Sequence, residues 1–300
     1  MLANVSKTQV SIAFMIGASA VLAVVFFLGK LLGSPVADAE PLHPFMVSAG
    51  RFCFAFLALM TFISLRPSFR PSLRGAPWHL HFLRSLLGWL GVSAKFAAFA
   101  AMPLAEATAV TYLNPIFAMG FAVLLLGEHL TARKIIATLL AFGGAYLILN
   151  PDVGGIPLAG WLALLAAALI GAEIAVIKLL SDREPALRIL CINNGIGACL
   201  SLSMAMVFWQ NPNALQWALL IAVGVLMVCG QSMFIQSMKR ADASFVVPIS
   251  YSILIFVAVF DWLYFETLPS VLTTTGTILI IAGAIILAMK SKTQDPQGSA

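Results

Sequence analysis

Apolar residues run through this chain in ten stretches of about 20, the length that carries a helix across the hydrocarbon layer. They lie near residues 10–32, 42–65, 82–102, 104–126, 132–150, 157–180, 187–208, 214–237, 243–265 and 270–289. The stretches are apolar on all sides. A barrel strand would instead alternate apolar and polar residues over roughly ten positions. The pattern predicts an all-α integral membrane protein of ten transmembrane helices. The connections are short, the longest being Arg66–His81, and none has room for a soluble domain.

Composition agrees. Hydrophobic residues make up 61% of the 300 residues, charged residues 10%, and the mean hydropathy is +1.00. A soluble domain carries about 25% charged residues. A soluble enzyme, a nucleic-acid binder and a disordered chain are excluded. The net charge of +5 reflects topology. With the N-terminus placed in the cytoplasm, 14 of the 17 Lys and Arg residues fall on that side: Lys7; Arg66, Arg70, Arg74, Arg84; Arg133, Lys134; Lys178, Arg183, Arg188; Lys239, Arg240; Lys290, Lys292. The other side holds Lys30 and the acids Asp38, Glu40, Asp152 and Glu266. This bias predicts a multi-pass inner-membrane protein with both termini cytoplasmic. Ala37-Asp38-Ala39 has the small residues of a cleavage site, but the run Val10–Leu32 exceeds the roughly 7–15 residues of a leader's apolar core. It is expected to remain as a span. Cys53, Cys191, Cys199 and Cys229 fall inside spans without a CxxC pair, so core packing is expected of them.

The two halves echo one another. Ala101-Met102-Pro103-Leu104-Ala105-Glu106-Ala107-Thr108 aligns with Ser237-Met238-Lys239-Arg240-Ala241-Asp242-Ala243-Ser244 at an offset of 136. Leu126-Gly127-Glu128 aligns with Tyr264-Phe265-Glu266, and Gly29-Lys30-Leu31-Leu32 with Ile177-Lys178-Leu179-Leu180. The end of span five (Ala141–Ala145) resembles that of span ten (Ile281–Ala284). Five spans per half inserts the second half upside down, the arrangement common in secondary transporters. The expected repeats are residues 1–150 and 151–300.

Arg51-Phe52, Pro103-Leu104-Ala105-Glu106-Ala107-Thr108-Ala109, Pro115 and Leu126-Gly127-Glu128-His129-Leu130-Thr131 resemble the EamA-type members of the drug/metabolite transporter superfamily, over nearly the whole chain. The second copy departs from the pattern, with Tyr251 in place of the aligned proline and Phe265-Glu266 in place of Gly-Glu. The resemblance implies paired five-helix bundles around a central cavity and a metabolite substrate it does not name.

Ionisable groups inside spans cost roughly 2.5–3.5 kcal/mol each on insertion scales, which makes them candidates for a site. Lys95 in span three is paired by the offset with Gln231 in span eight. It either faces the cavity or snorkels outward. Arg51 in span two has Asn193-Asn194 as its approximate counterpart. Its planar fork suits an anion, and an ion pair with a carboxylate is the alternative. Glu173 in span six is placed to pair with Lys95 or Arg51, to bind an amine, or to carry a proton. Asp261 is expected at the water interface, and Lys30 and Lys178 are expected as interfacial anchors. Trp89, Tyr112, Asn114 and Tyr251 complete the candidate lining. Pro115 frees the carbonyl of Thr111, and Pro248 that of Ser244. Ala137, Ala141, Ala145, Gly276 and Gly283 mark close helix packing or a dimer face.

The expected function is secondary transport, by alternating access, of a small polar or amphipathic metabolite of the amino-acid or organic-anion class. The alternative is a drug or quaternary-amine exporter of the same fold. The expected partners are the substrate and the lipid bilayer, with protons and a homodimer both open. No nucleic acid, cofactor or metal is expected. There is no GxxxxGK[ST] loop to bind ATP phosphates. An intramembrane enzyme is disfavoured because HExxH and GxSxG are missing and His43, His79, His81 and His129 sit at span ends or in loops. A channel is disfavoured because no filter loop or ring of like charge is visible.

Overall fold

The computed structural model describes residues 7–35, 40–126, 130–151, 155–181, 184–241 and 248–289. Its helices are α1 (Lys7–Leu32), α2 (Pro44–Leu65), α3 (Trp78–Ala101), α4 (Leu104–Thr111), α5 (Asn114–Leu126), α6 (Ala132–Leu149), α7 (Leu158–Ser181), α8 (Ala186–Val207), α9 (Ala214–Met238), α10 (Ile253–Phe265) and α11 (Val271–Ala288). Among the described residues, nine segments are long and apolar enough to cross a bilayer, with Leu104–Leu124 and Pro248–Phe265 each counting as one. The long helix α3 is not among the nine. It carries His79, His81, Arg84, Ser85, Ser93 and Lys95, most of which it turns toward neighbouring helices.

Local signals account for the ends and the breaks. Pro44 opens α2, and Asn213 and Gln216 form a reciprocal capping box on α9, which satisfies N–H groups that a helix start leaves free. Span four is broken at Tyr112-Leu113. Pro115 has no N–H to give the Thr111 carbonyl, and the Asn114 side chain supplies one instead, with Nδ2 3.1 Å from that oxygen. In the second half, a turn at Tyr251-Ser252 separates helical residues 248–250 from α10. Ser244, expected to have a free carbonyl, and Glu128 lie outside the described residues.

The helices pack in two groups. In one, α1 lies along α9 and α10, and α2 along α9; in the other, α7 lies along α3, α4 and α5, and α8 along α3. Glycines allow the close approaches within each group. Gly224 of α9 faces the backbone of Phe54 and Ala55, and Gly171 of α7 faces the backbone of Asn114 and Ala118. The groups meet along a seam where α2 packs along α8 at least as extensively as along α9, α1 and α2 touch α3, and α10 touches α4.

Helices α6 and α11 form a separate pair. Gly144 and Gly276 meet so closely that a methyl group on either would run into the other's carbonyl oxygen, and Gly283 sits on Ala137 and Ala141. The small-residue faces expected to pack do so against each other within one chain, which leaves them unavailable as a dimer face. The cysteine expectation needs correcting. Cys191 is buried and Cys53 half-buried, but Cys199 and Cys229 are exposed on the outside of the helix assembly. An apolar run all round a helix does not reveal which of its sides meets protein.

Candidate functional site along the helix seam

Arg51 and Asn194 meet across the seam. Arg51 is 4% exposed on α2, and its Nη1 donates to Oδ1 of Asn194 on α8 at 3.3 Å. The Asn194 amide nitrogen in turn donates to the Leu190 carbonyl. The guanidinium lies 3.9 Å from the centre of the Phe52 ring, and its Nε–H has no partner. Beside Asn194, the buried Oδ1 of Asn193 also lacks one.

Lys95 turns from α3 across the seam to α1. Its Nζ sits 3.8 Å over the Phe26 ring and 5.7 Å from that of Phe99. The side chain is half-buried, between the two expected extremes. A cation over an aromatic face is attracted by the ring's quadrupole. Arg51 and Lys95 lie within electrostatic reach of each other. Among the described residues, neither has a carboxylate within ion-pair distance.

Glu173 pairs with neither of its expected partners. Its Oε1 lies 3.4 Å from Nη2 of Arg84, a residue first read only as a topology signal. Arg84 is 6% exposed and also donates to the Ile189 carbonyl at 3.3 Å. It stands on the second turn of α3, inside the assembly. Gly88, one turn further along, leaves the room this needs: a Cβ there would meet the Glu173 carboxylate at 2.8 Å. That arginine-to-glycine spacing of four was the available signal in the sequence. Beyond Arg84 toward the same end, Arg188 holds Glu184 at 2.8 Å, and the fully buried His81 lies 3.9 Å from Glu184.

Lys30 and Asp261 require a second correction. Both were expected near water, but Lys30 is 7% and Asp261 1% exposed, and their charged atoms are 3.0 Å apart. The other Asp261 oxygen accepts the Ala105 N–H at 2.7 Å, so the carboxylate also caps the start of α4 across the seam. The Phe265 ring lies 4.3 Å from the Lys30 ammonium, and Glu106 next door accepts from Thr273. Position near a span end did not reveal that α1 and α10 turn these groups toward each other. Lys178 is exposed, as an interfacial anchor should be.

The aromatic candidates also lie on the seam. Trp89 is buried, stacks on Phe45 of α2 at 5.8 Å, and has an unpartnered Nε1–H. Phe45 leads on to Phe208 and His43, whose rings stack at 4.3 Å. His43 Nδ1 accepts the Phe45 N–H, and burial lowers the imidazole pKa, so the ring is an uncharged end to this row. Tyr112 and Tyr251 meet edge to face at 5.2 Å. Tyr251 also lines a groove of about 660 Å³ with Ala105, Pro248, Ser252 and Thr273, and its hydroxyl has no partner. Asn114 is committed to the broken helix described above. Gln231 is half-buried on α9, next to Gly230, which packs on Leu22 of α1. No metal-binding cluster of His, Cys, Asp or Glu occurs among the described residues.

The EamA-like transporter family model matches residues 9–150 and again residues 158–289. The chain belongs to the EamA-like transporter family. Among curated relatives, a riboflavin transporter of Rhizobium johnstonii is 30% identical over 79% of this chain and 78% of its own length. An S-adenosylmethionine uptake transporter of Rickettsia prowazekii is 25% identical over 90% and 93%. The pseudopaline exporter CntI of Pseudomonas aeruginosa is 27% identical over 74% and 78%. A solved crystal structure matches with a TM-score of 0.60 at 22% identity, covering 94% of this chain and 96% of that one; this likeness concerns the fold alone. The family and these relatives are transporters and not enzymes. This EamA-like protein is a multi-pass membrane protein of that kind, and its substrate is a small molecule.

Proposed function

We propose that the chain is a ten-span carrier of two inverted repeats, residues 1–150 and 151–300, in the inner membrane with both termini cytoplasmic. It moves a small metabolite bearing an anionic group by alternating access. The family match in two stretches supports the repeat. So does the packing. Exchanging each first-half span for its second-half counterpart turns the α1–α9 pair into α7–α3, α2–α9 into α8–α3, and α1–α10 into α7 with α4 and α5. Each of these pairs is packed. The α6–α11 pair maps onto itself. The charge bias of the loops supports the orientation, with α3 as the third span.

The observation that carries the substrate class is the pair of basic groups, Arg51 on α2 and Lys95 on α3, neither with a carboxylate within ion-pair distance among the described residues. Repeat carriers bind near the midplane between their halves. The two cations draw an anionic group there, and Trp89, Tyr112 and Tyr251 offer aromatic faces to the rest of the molecule. An amino acid or organic anion meets these terms better than a quaternary amine, which two cations repel. Alternating access requires the groups to part at one end at a time. At the Lys30 end, the Asp261 to Ala105 bond must then break.

The test is a thermal-shift screen of purified protein against amino acids, carboxylates, nucleosides, vitamins and quaternary amines. A ligand that binds only the folded state raises the melting temperature by mass action. An anionic or zwitterionic compound should stabilise the wild type and lose its effect in Lys95→Ala. Stabilisation that survives in both Lys95→Ala and Arg51→Gln would move the site off the seam.

A further inference from the structure

The connection between α2 and α3 repeats a four-residue unit, Arg66-Pro67-Ser68-Phe69 and then Arg70-Pro71-Ser72-Leu73, and closes the pattern on Arg74. The three arginines are exposed, and so are Phe69, Leu73 and Trp78. Among the described residues, none of these arginines has a carboxylate within ion-pair distance. Glu184, toward the same end of the bundle, is held by Arg188. Basic and large apolar side chains exposed side by side suit the boundary between water and hydrocarbon. A groove of about 570 Å³ leads from this segment between α2 and α8. Arg70, Leu73 and Trp78 line one end of it, and Phe56, Ile196 and Cys199 line the other. The two helices close its floor where the Phe56 ring lies over Gly195, so near that a Cβ there would stand 3.2 Å from the ring. Both walls belong to segments apolar enough to cross a bilayer, Pro44–Leu65 and Leu187–Val207. The groove opens on the outside of the assembly, where Phe82 and Cys199 are exposed.

We propose that this groove is a binding site for an anionic phospholipid, with an acyl chain laid between α2 and α8 and the phosphate at Arg70. The occupant must be apolar at the depth of the spans and negative at the level of the connection. A phospholipid with a net negative headgroup has that order of parts. Arg66 and Arg74, four residues to either side of Arg70, add to the attraction, as basic groups beside a span do for anionic lipids. Trp78, the first residue of α3, stands where an indole anchors at the headgroup level. A free phosphate would leave the apolar walls uncovered, and a lipid without net charge would leave the arginines unmatched. A second copy of the chain docked here about a two-fold axis would bring arginines against arginines. The lipid site holds whatever the protein carries.

The test is a titration of the delipidated full-length protein in detergent with phosphatidylglycerol, with phosphatidylcholine of the same chains, and with glycerol phosphate. Binding is read by native mass spectrometry and by the rise in melting midpoint. Phosphatidylglycerol should bind roughly ten times more tightly than phosphatidylcholine, and in the double variant Arg70→Gln, Arg74→Gln that preference should fall to about twofold, since each arginine near an anionic headgroup is worth roughly fivefold in binding. Cys199→Trp, which fills the groove and leaves the arginines in place, should lose the tightly held lipid. Ile196→Trp replaces it if that variant does not fold. The control Arg133→Gln, Lys134→Gln, in a different connection, should bind as the wild type does. Equal affinity for the two lipids, or a preference that survives loss of Arg70 and Arg74, would overturn the site. Glycerol phosphate that competes as well as the lipid would overturn it in favour of a free phosphate. A preference for phosphatidylglycerol unchanged by filling the groove would show that surface charge alone gathers the lipid. A filled groove that turns a dimer into a monomer with lipid binding unaltered would assign this face to a second copy and overturn the proposal.

Discussion

Replacing Asp261 with Asn tests the buried tie at the Lys30 end. Asn has nearly the shape of Asp and keeps an oxygen for the Ala105 N–H, so the change removes charge and little else. Lys30 is 7% exposed and Asp261 1% exposed, so water screens the pair weakly. Breaking a buried pair by neutralising one partner costs about 3–5 kcal/mol, because the other charge is left uncompensated. Taking the lower figure and roughly 2–4 °C per kcal/mol for a chain of about this size, the melting midpoint should fall by roughly 6–12 °C. Lys30→Met alone should cost a similar amount by leaving the carboxylate alone. The double variant removes both charges. It should regain most of the loss, because well-packed neutral replacements of a buried pair are often about neutral or better. Melting curves of the four proteins in one detergent measure all three differences. Single-variant shifts below about 2 °C, or a double-variant loss equal to the sum of the singles, would show that water reaches the pair and that the burial argument is wrong.

Three further outcomes follow from the packing and the site. Gly88→Val should abolish transport and lower the melting midpoint, since even its Cβ would lie 2.8 Å from the Glu173 carboxylate and force it off Arg84; proteoliposome flux and melting check this. Gly276→Leu should destabilise the chain by at least about 1–3 kcal/mol, the cost of overpacking, because α6 and α11 meet backbone to backbone there; an unchanged melting curve would contradict that pairing. Tyr251→Leu should lower stability by about 0.5–1.5 kcal/mol through loss of the edge-to-face contact with Tyr112, and a double-mutant cycle with Tyr112→Leu should isolate that coupling.

Much of the fold was legible because burial in lipid imposes a simple rule: every backbone polar group must be satisfied within its own segment. Long apolar runs therefore had to be helices, and among the described residues the helix ends lie within a few residues of the ends of the apolar runs. Pro115 announced the break before α5, and Asn114 stood ready to repair it. The site was legible as a set of residue types and less so as a set of pairs. Arg51 and Asn194 hold approximately matching places in the repeat, but the partner expected of Arg51 was an anion or a carboxylate and not this amide. Arg84 with Glu173 could not be anticipated, because Arg84 lies close enough to a loop to pass for a topology signal. Lys30 with Asp261 joins positions 231 apart, and distance along the chain says nothing about which helix faces meet. Once α1 and α10 lie side by side, the pair follows from the cost of leaving either charge alone.

The proposal on which the rest depends is that substrate crosses at the seam where α2 carries Arg51 and α3 carries Lys95. Counterflow in proteoliposomes tests it most directly. Vesicles preloaded with a ligand from the thermal-shift screen are given its labelled form outside, with wild type and Arg51→Gln incorporated to equal density. The account predicts saturable accumulation of label in the wild type and loss of at least nine tenths of it in the variant. Equal accumulation by the two proteins would contradict the account and place the path of the substrate elsewhere in the molecule.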